Sequence, residues 1–213
     1  IDMPGHMTAA ISSYPELGKD GKKIELYTGV EAGFSCLDIH NEVVYEFVHD
    51  VLKEVAEITP GPYIHIGGDE VNKASKADYI CFINRVQDIV QSHGKVVIGW
   101  EEISLADLDP DSVVQYWKRR KYAQKVVSKG NKIIVSPAEK IYLDMKYNRD
   151  THIGTTWAGC INVKQGYSWD PVLPGLKEEH ILGIEAPLWT ETVCTMKDIE
   201  YLTFPRLAGY AER

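Results

Sequence analysis

The feature that most limits how this chain can fold is the alternation of short apolar segments with longer amphipathic ones. Apolar residues recur every three or four positions in residues 41–58 and 76–92, which is the period of a helix with one buried face. The predicted strands are 63–67, 96–100, 113–117, 133–136 and 181–185, and further helices are predicted at 119–128 and at 198–212, the last broken or shifted at Pro205. Apolar strands of this kind, separated by helices, predict a parallel sheet covered by helices. The fold is then either an open doubly wound sheet or a closed (β/α)8 barrel.

Polar or aromatic residues follow most of the predicted strands. They are Asp69 and Glu70, Trp100 to Glu102, Trp117, and Trp189 to Glu191. In a barrel the carboxyl ends of all strands meet at one rim, whereas an open sheet gathers its ligand residues at one crevice. No Gly-x-Gly-x-x-Gly sequence follows a strand, which disfavours a dinucleotide site. The sequence therefore favours an α/β fold of the (β/α)8 TIM-barrel type, and residues 137–180, which lack a strong helical pattern, are predicted to form a loop over the rim.

Charge and hydropathy argue against two classes of partner. The 23 basic and 31 acidic side chains leave a net charge of −8, which disfavours binding to nucleic acid. No apolar run approaches the roughly 20 residues of a membrane span, so no membrane partner is expected.

The four cysteines are far apart and are predicted to be buried free thiols. The compartment stays open, and a secreted or periplasmic bacterial enzyme is compatible with the sequence.

Tryptophans and carboxylates dominate the predicted rim. Sugars bind such surfaces, because their C–H faces lie on aromatic rings while their hydroxyls donate to carboxylates. Repulsion between the adjacent Asp69 and Glu70 is expected to raise at least one pKa, as a general acid for glycosidic bond cleavage requires. Other interpretations stay open at this point: core tryptophans, a solvated carboxylate pair, structural histidines, or a metal held by Asp2 with His6 and by His65 with Asp69.

Six motifs occur in a fixed order along the chain. They are IDMPGH at 1–6, HIGGDE at 65–70, GWEE at 99–102, VQYW at 114–117, YLD at 142–144 and LWTE at 188–191. With these motifs the chain resembles glycoside hydrolase family 20, the β-N-acetylhexosaminidases, over essentially its whole length. The HIGGDE motif is quite specific to that family, and the ordered set of six is more so.

The resemblance implies removal of terminal, non-reducing β-linked N-acetylglucosamine or N-acetylgalactosamine from an oligosaccharide or glycoconjugate, with retained configuration. No cofactor and no metal are implied. The family is an exception to the two-carboxylate retaining scheme: the acetamido oxygen of the substrate attacks the anomeric carbon and gives an oxazolinium-type intermediate. The alternatives are a catalytically silent carbohydrate-binding barrel and a metal-dependent hydrolase.

By the same resemblance, Glu70 is the acid that protonates the leaving oxygen and then the base that activates water. Asp69 would accept the acetamido N–H, and Tyr142 would donate its hydroxyl to the acetamido oxygen. The remaining expected site residues are Trp100, Trp117 and Trp189 around the acetamido methyl group, Asp144, Trp157 and Glu191 on the sugar hydroxyls, and His6 and His65 behind the catalytic carboxylates. Asp2 is expected to be structural and to set the turn at Pro4 and Gly5.

The resemblance also implies an incomplete barrel. Residues 1–6 resemble the end of the family's third strand, so the chain corresponds to roughly strands 3 to 8, in a single catalytic-barrel domain over 1–213 with no second domain. The earlier strands, with an arginine that grips the sugar hydroxyls, are missing. Because an open barrel exposes a sheet edge, we expect the isolated 213-residue chain to be poorly stable and inactive.

Overall fold

The structure is a computed structural model that describes residues 1–29 and 31–212. The chain divides into two compact units. The first comprises Ile1–Val114 and Ser128–Asn131, and the second comprises Gln115–Val127 and Lys132–Arg213.

The first unit contains two long helices and two paired strands. Its elements are α1 (Thr8–Ser13), α2 (Glu42–Ile58), β1 (Tyr63–His65), α3 (Lys76–Ser92) and β2 (Val96–Trp100), with 3-10 turns at Pro15–Leu17 and Glu101–Leu105. A further strand, β3 (Val113–Tyr116), begins in this unit and ends in the second. The predicted helices at 41–58 and 76–92 and the strand at 96–100 are confirmed to within one residue.

The two long helices begin at capping residues and bury one face each. The Asn41 side chain accepts a hydrogen bond from the N–H of Val43 at 3.1 Å, and the Ser75 hydroxyl accepts one from the N–H of Asp78 at 3.2 Å. The buried side chains are Val44, Tyr45, Val48 and Leu52 on α2 and Tyr79, Phe82, Ile83, Val86, Gln87 and Val90 on α3. These two buried faces form the core of the unit. Their burial stabilises the fold by about 25 cal/mol per Å² of apolar surface.

The paired strands lead directly to the HIGGDE motif. β1 and β2 run parallel, with Ile64 opposite Val97. The N–H of Met3 donates to the carbonyl of Ile66 at 3.0 Å, so the start of the chain lies along the end of β1. β1 ends two residues earlier than predicted, because the chain turns at Gly67 with a φ of 74°.

Among its described residues, the second unit contains the later strands and five helices. Its elements are α4 (Arg120–Val127), β4 (Lys132–Val135), α5 (Ala138–Ile141), α6 (Val163–Ser168), β5 (Ile181–Ile184), α7 (Met196–Thr203) and α8 (Arg206–Glu212), with a 3-10 turn at Glu178–His180. β4 and β5 run parallel, with Ile133 opposite Ile181 and a register shift directly after this pair. The predicted strands at 133–136 and 181–185 and the helix at 119–128 are confirmed, with ends moved by one residue.

Two short helices correct the prediction that residues 137–180 form only a loop. α5 has four residues and α6 has six, which is too short for a period to be read over a window of 11 to 18 residues. A capping box begins α6: the Asn162 side chain accepts from the N–H of Gln165 at 2.9 Å, and the Gln165 side chain accepts from the N–H of Asn162 at 3.0 Å.

The final helical segment is interrupted at Pro205, as predicted. α7 ends at Thr203 and α8 begins at Arg206. Thr195 and Asp198 form a capping box at the start of α7. The interruption leaves the last carbonyls of α7 without helical partners, because proline has no N–H to donate.

The cysteines are free, as predicted, but the prediction that they are buried is wrong. Cys81 and Cys194 are exposed, and Cys36 and Cys160 are half-buried. Cys81 lies on α3 next to the buried Phe82, on the side of that helix that faces solvent. Among the helices described, none has the length and apolar character to cross a membrane.

Candidate active site

The turn after β1 carries two adjacent carboxylates and depends on two glycines. Gly67 and Gly68 have φ values of 74° and 98°, and Glu70 has a φ of 52°. A Cβ at Gly67 would collide with the carboxylate of Asp2, and a Cβ at Gly68 would lie 2.6 Å from Cγ2 of Ile103. Glycine is therefore required at both positions. A non-glycine residue with positive φ, such as Glu70, is a backbone outlier of the kind that clusters at functional sites.

His6 lies against both carboxylates. Its Nε2 atom is 3.2 Å from Oδ2 of Asp69 and 3.5 Å from Oε2 of Glu70. The hydrogen bonds to Asp69 and Glu70 raise the pKa of His6 to about 10, so its imidazole is cationic at neutral pH. The other oxygen of Asp69, Oδ1, is buried and has no hydrogen-bond partner in the part of the chain that the structure describes. The cationic ring thus holds one oxygen of Asp69 and leaves the other available.

Asp2 is a member of this site that the sequence analysis missed. Its Oδ1 accepts a hydrogen bond from the N–H of Gly68 at 3.2 Å. Burial, and then the nearby charge of Asp69, raise the pKa of Asp2 to about 8. A buried carboxyl group with a raised pKa is thus found at a residue that the resemblance gave a structural role. The available signal was the pair Gly67 and Gly68, which leaves room for a third carboxyl group.

His65 and Trp100 lie at the ends of β1 and β2. The Nδ1 atom of His65 accepts a hydrogen bond from the N–H of Gly67 at 3.1 Å, which ties the histidine to the turn. Its ring meets Trp100 edge to face, with centroids 5.4 Å apart. Trp100 itself is buried. The pair therefore supports the turn from the strand side.

In the second unit an aromatic cluster surrounds Tyr142; its members are Trp117, Tyr142, Trp157 and Trp189. The Tyr142 ring centroid is 5.9 Å from that of Trp157 and 6.2 Å from that of Trp189, and Trp117 is 6.0 Å from Trp157. Tyr142 and Trp117 are buried, whereas Trp157 and Trp189 are 53% and 39% exposed. Two half-exposed rings that rest on a buried tyrosine offer an apolar surface to a ligand.

Asp144 is a buried carboxylate two residues after Tyr142, and it is 1% exposed. Its Oδ2 accepts a hydrogen bond from the hydroxyl of Thr155 at 3.2 Å, while Oδ1 is buried with no partner among the residues described. Burial raises the pKa of Asp144 to about 6, and the charge of Glu191 also raises it, against the lowering effect of the Thr155 bond. A buried carboxylate oxygen without a partner is costly unless a ligand satisfies it.

The predicted site residues fall into one group in each unit. The first group is His6, His65, Asp69, Glu70 and Trp100, and the second is Trp117, Tyr142, Asp144, Trp157, Trp189 and Glu191. The structure brings His6, Asp69 and Glu70 together, and it brings Tyr142 together with three tryptophans. Trp100 was expected to share a pocket with Trp117 and Trp189; its ring contact within the first unit is with His65.

One group of side chains could hold a cation. The ligand atoms of Asp2, His6 and Asp69 all lie within 4.8 Å of one another. The metal alternative paired His65 with Asp69, but the Nδ1 atom of His65 is engaged by the backbone of Gly67. A metal would also have to displace the proton that the carboxylates hold on His6, because only a neutral imidazole is a ligand. In the structure these side chains form a hydrogen-bonded network around His6.

Comparison with known protein families identifies the chain. It matches the model of the glycosyl hydrolase family 20 catalytic domain over residues 1–81 and 75–213. The chain therefore belongs to glycosyl hydrolase family 20. The prediction of a (β/α)8 barrel represented by only some of its strands is confirmed, because solved structures of the family superpose on the whole chain while the chain covers less than half of them.

Several named relatives are similar over the full chain. A β-N-acetylhexosaminidase of Cellulomonas fimi is 39% identical over 217 residues, which span all of this chain and 44% of that protein. A family 20 β-N-acetylhexosaminidase of Streptomyces coelicolor A3(2) is 46% identical with a TM-score of 0.95, and covers all of this chain and 45% of its own. A mutant β-hexosaminidase of Streptomyces plicatus, solved in complex with the product GlcNAc, has the same identity and TM-score, with 44% of its own chain covered. The chain thus spans less than half the length of these relatives.

Proposed function

We propose that this chain forms part of an exo-acting β-N-acetylhexosaminidase that hydrolyses terminal, non-reducing β-linked N-acetylglucosamine or N-acetylgalactosamine. The names of its relatives support the reaction class, and the relative bound to GlcNAc supports the sugar. Because the chain covers less than half of those proteins, the activity belongs to a polypeptide that also supplies the rest of the barrel.

The observation that carries the proposal is the unequal environment of the two adjacent carboxylates. Asp69 is held by His6 and is 13% exposed, with Oδ1 unpartnered among the described residues. Glu70 is 36% exposed and so is accessible to a substrate. A buried acceptor beside an accessible acid is what substrate-assisted cleavage needs. Asp69 accepts the acetamido N–H through Oδ1, and Glu70 serves as the proton donor.

The reaction then proceeds in two balanced steps. In the first, the acetamido oxygen bonds to the anomeric carbon, the glycosidic C–O bond breaks, and Glu70 gives its proton to the leaving oxygen. In the second, water attacks the anomeric carbon, the bond to the acetamido oxygen breaks, and Glu70 recovers a proton from the water. Two inversions at the same carbon retain its configuration. Asp69 orients the acetamido group and stabilises the positive charge that develops on it.

The second unit supplies the binding contacts in this proposal. The Tyr142 hydroxyl donates to the acetamido oxygen, and Trp117 and Trp189 contact the acetamido methyl group. Asp144, Trp157 and Glu191 bind the sugar hydroxyls. The buried, unpartnered Oδ1 of Asp144 supports this role, because a sugar hydroxyl would supply the missing donor.

Hydrolysis of a chromogenic aryl N-acetyl-β-glucosaminide, with the matching β-glucoside as control, tests the proposal. It is run on the longest polypeptide that carries this sequence and, in parallel, on the 213-residue chain. In the longer polypeptide we expect turnover of the N-acetyl substrate only. Turnover should be about 10²- to 10⁴-fold lower in Glu70→Gln, because that is the contribution of a general acid. The matched control is Glu57→Gln, an exposed position on α2. Equal turnover in Glu70→Gln would exclude Glu70 as the acid.

The same assay separates two other functions. A silent sugar-binding barrel would bind N-acetylglucosamine equally well as wild type and as Glu70→Gln, and neither would hydrolyse the substrate. A metal-dependent hydrolase would lose activity on addition of a chelator. The observation that supports this alternative is the grouping of Asp2, His6 and Asp69. The proposed mechanism predicts no effect of the chelator.

A further inference from the structure

A single buried arginine binds four backbone carbonyls in the second unit. Arg206, the first residue of α8, is 1% exposed. Its Nη1 atom donates to the carbonyls of Met145 at 2.8 Å and Ile161 at 3.1 Å. Its Nη2 atom donates to the carbonyls of Leu143 and Leu202, both at 2.6 Å. The guanidinium therefore joins three separate parts of the chain.

The break at Pro205 explains why carbonyls are available at one side of this contact. α7 ends at Thr203, so its last carbonyls cannot receive a helical N–H. Arg206 takes the carbonyl of Leu202, and the hydroxyl of Tyr147 lies 2.9 Å from the carbonyls of both Tyr201 and Phe204. The end of α7 is thus satisfied by two side chains instead of by a continued helix.

The other carbonyls belong to the segment that carries two of the proposed substrate contacts. Leu143 and Met145 flank Asp144, and Tyr142 precedes them. Both carbonyls point to the guanidinium, so the backbone on either side of Asp144 is held by one side chain. Tyr147, at the end of the same segment, reaches back to α7. Residues 143–147 are therefore fixed to the α7–α8 break at both ends.

The guanidinium is suited to this position and an ammonium is not. Within the described chain Arg206 makes no ion pair with a carboxylate; its charge is met by carbonyl oxygens and by the Tyr147 ring, whose centroid lies 4.1 Å from Cζ. A planar fork of five donors can reach four acceptors in different directions, whereas lysine offers three donors on one atom. Burial of a charge that has no carboxylate partner is expensive. Such an arrangement is expected where the placement of the bonded segment matters.

We propose that Arg206 is a positioning residue for the reaction, which sets the place of Tyr142 and Asp144 by holding the backbone between and beyond them. The proposal rests on the proposed function for its kinetic consequence. Its structural consequence, restraint of residues 143–147 by Arg206, can be measured without turnover.

Native-state hydrogen exchange tests the restraint in Arg206→Lys. The matched control is Val126→Ala, a buried change on α4 in the same unit at a side chain that takes no part in the hydrogen bonds above. At equal distance below each variant's Tm, we expect exchange of the Lys146 and Ile161 amides to be at least about tenfold faster in Arg206→Lys, and unchanged in Val126→Ala. Equal exchange in both variants would overturn the proposal. If Arg206→Lys does not fold, Arg206→Gln, which keeps two side-chain N–H donors, carries the same test.

Kinetics on the longest polypeptide that carries this sequence test the link to the reaction. We expect kcat/KM to fall about 10- to 100-fold in Arg206→Lys at a temperature where it is fully folded, and less than about twofold in Val126→Ala, because small misplacement of a reacting group costs up to about 100-fold. In a Tyr142→Phe background the same change should cost less than about threefold, since the effects of coupled residues are not additive. A full, additive loss would show that Arg206 does not act through Tyr142 and would overturn the positioning proposal. Absence of turnover in wild type refutes the proposed function and leaves the exchange result to decide the restraint.

Discussion

Replacement of Gly68 by alanine tests how tightly the turn before the catalytic carboxylates is built. Two costs follow from the structure. Gly68 has a φ of 98°, where a residue with a Cβ is strained by about 1–3 kcal/mol. The new methyl group would also lie 2.6 Å from Cγ2 of Ile103 and 3.0 Å from the hydroxyl of Tyr79, and such overpacking costs about 1–3 kcal/mol. Gly68→Ala is therefore expected to lower the free energy of unfolding by about 2–6 kcal/mol.

The chain offers a control in which only the backbone cost is present. Gly130 has a φ of 101°, and a Cβ there would meet nothing within 4 Å. Gly130→Ala should lower the free energy of unfolding by about 1–3 kcal/mol, so the difference between the two variants measures the clash. Urea unfolding followed by far-UV circular dichroism gives both values, provided that the m-value is unchanged.

Gly68→Ala is also expected to affect catalytic activity. The hydroxyl of Tyr79 donates to the carbonyl of Gly68 at 2.6 Å, so the methyl group disturbs a contact that fixes the peptide before Asp69. Activity should therefore fall in Gly68→Ala and stay near wild type in Gly130→Ala. If Gly130→Ala destabilises the protein as much as Gly68→Ala does, the packing argument for the turn is refuted.

Three more predictions follow from burial and charge. Because the pKa of His6 is raised from 6.5 to about 10, its stabilising effect is full below about pH 6.5 and lost as the pH rises towards 10; unfolding midpoints should fall more steeply over this range in wild type than in His6→Gln. With a pKa of about 6 for Asp144, KM for the N-acetyl substrate should rise below pH 6 in wild type but show no such inflection in Asp144→Asn. Phe82→Ala, at a fully buried position, should cost about 3–5 kcal/mol in urea unfolding, whereas Ile58→Ala, at a side chain 79% exposed, should change stability by less than about 0.5 kcal/mol.

The long elements of the fold were predictable because their signals are local and repeated. α2 and α3 each have 17 residues, so the apolar period recurs over almost five turns, and side-chain caps mark their first residues. α5 and α6 were missed because four and six residues contain too little period to read. The break between α7 and α8 was predictable because proline acts through its own ring and missing N–H.

The candidate site was predictable in its residue types but not in its connections. Asp69 and Glu70 could be predicted because they follow an apolar strand, and Trp189 could be predicted for the same reason. The contact between Asp2 and Gly68 joins residues 66 positions apart and depends on how the chain folds back. The hydrogen bonds from Arg206 to backbone carbonyls could not be predicted either. Every residue has a backbone carbonyl, and the amino-acid sequence does not show which of them will accept.

The uneven exposure of the tryptophans gives the protein an optical reporter of its own. Trp157 and Trp189 are partly in contact with water, while Trp100 and Trp117 are only 7% and 8% exposed. Indole emission moves to shorter wavelength when water is removed from around the ring. A molecule that settles on the exposed pair should therefore shift the red edge of the fluorescence spectrum and leave the light from the buried rings nearly unchanged. Ligand binding could then be followed by tryptophan fluorescence in the unlabelled protein, without turnover of a substrate.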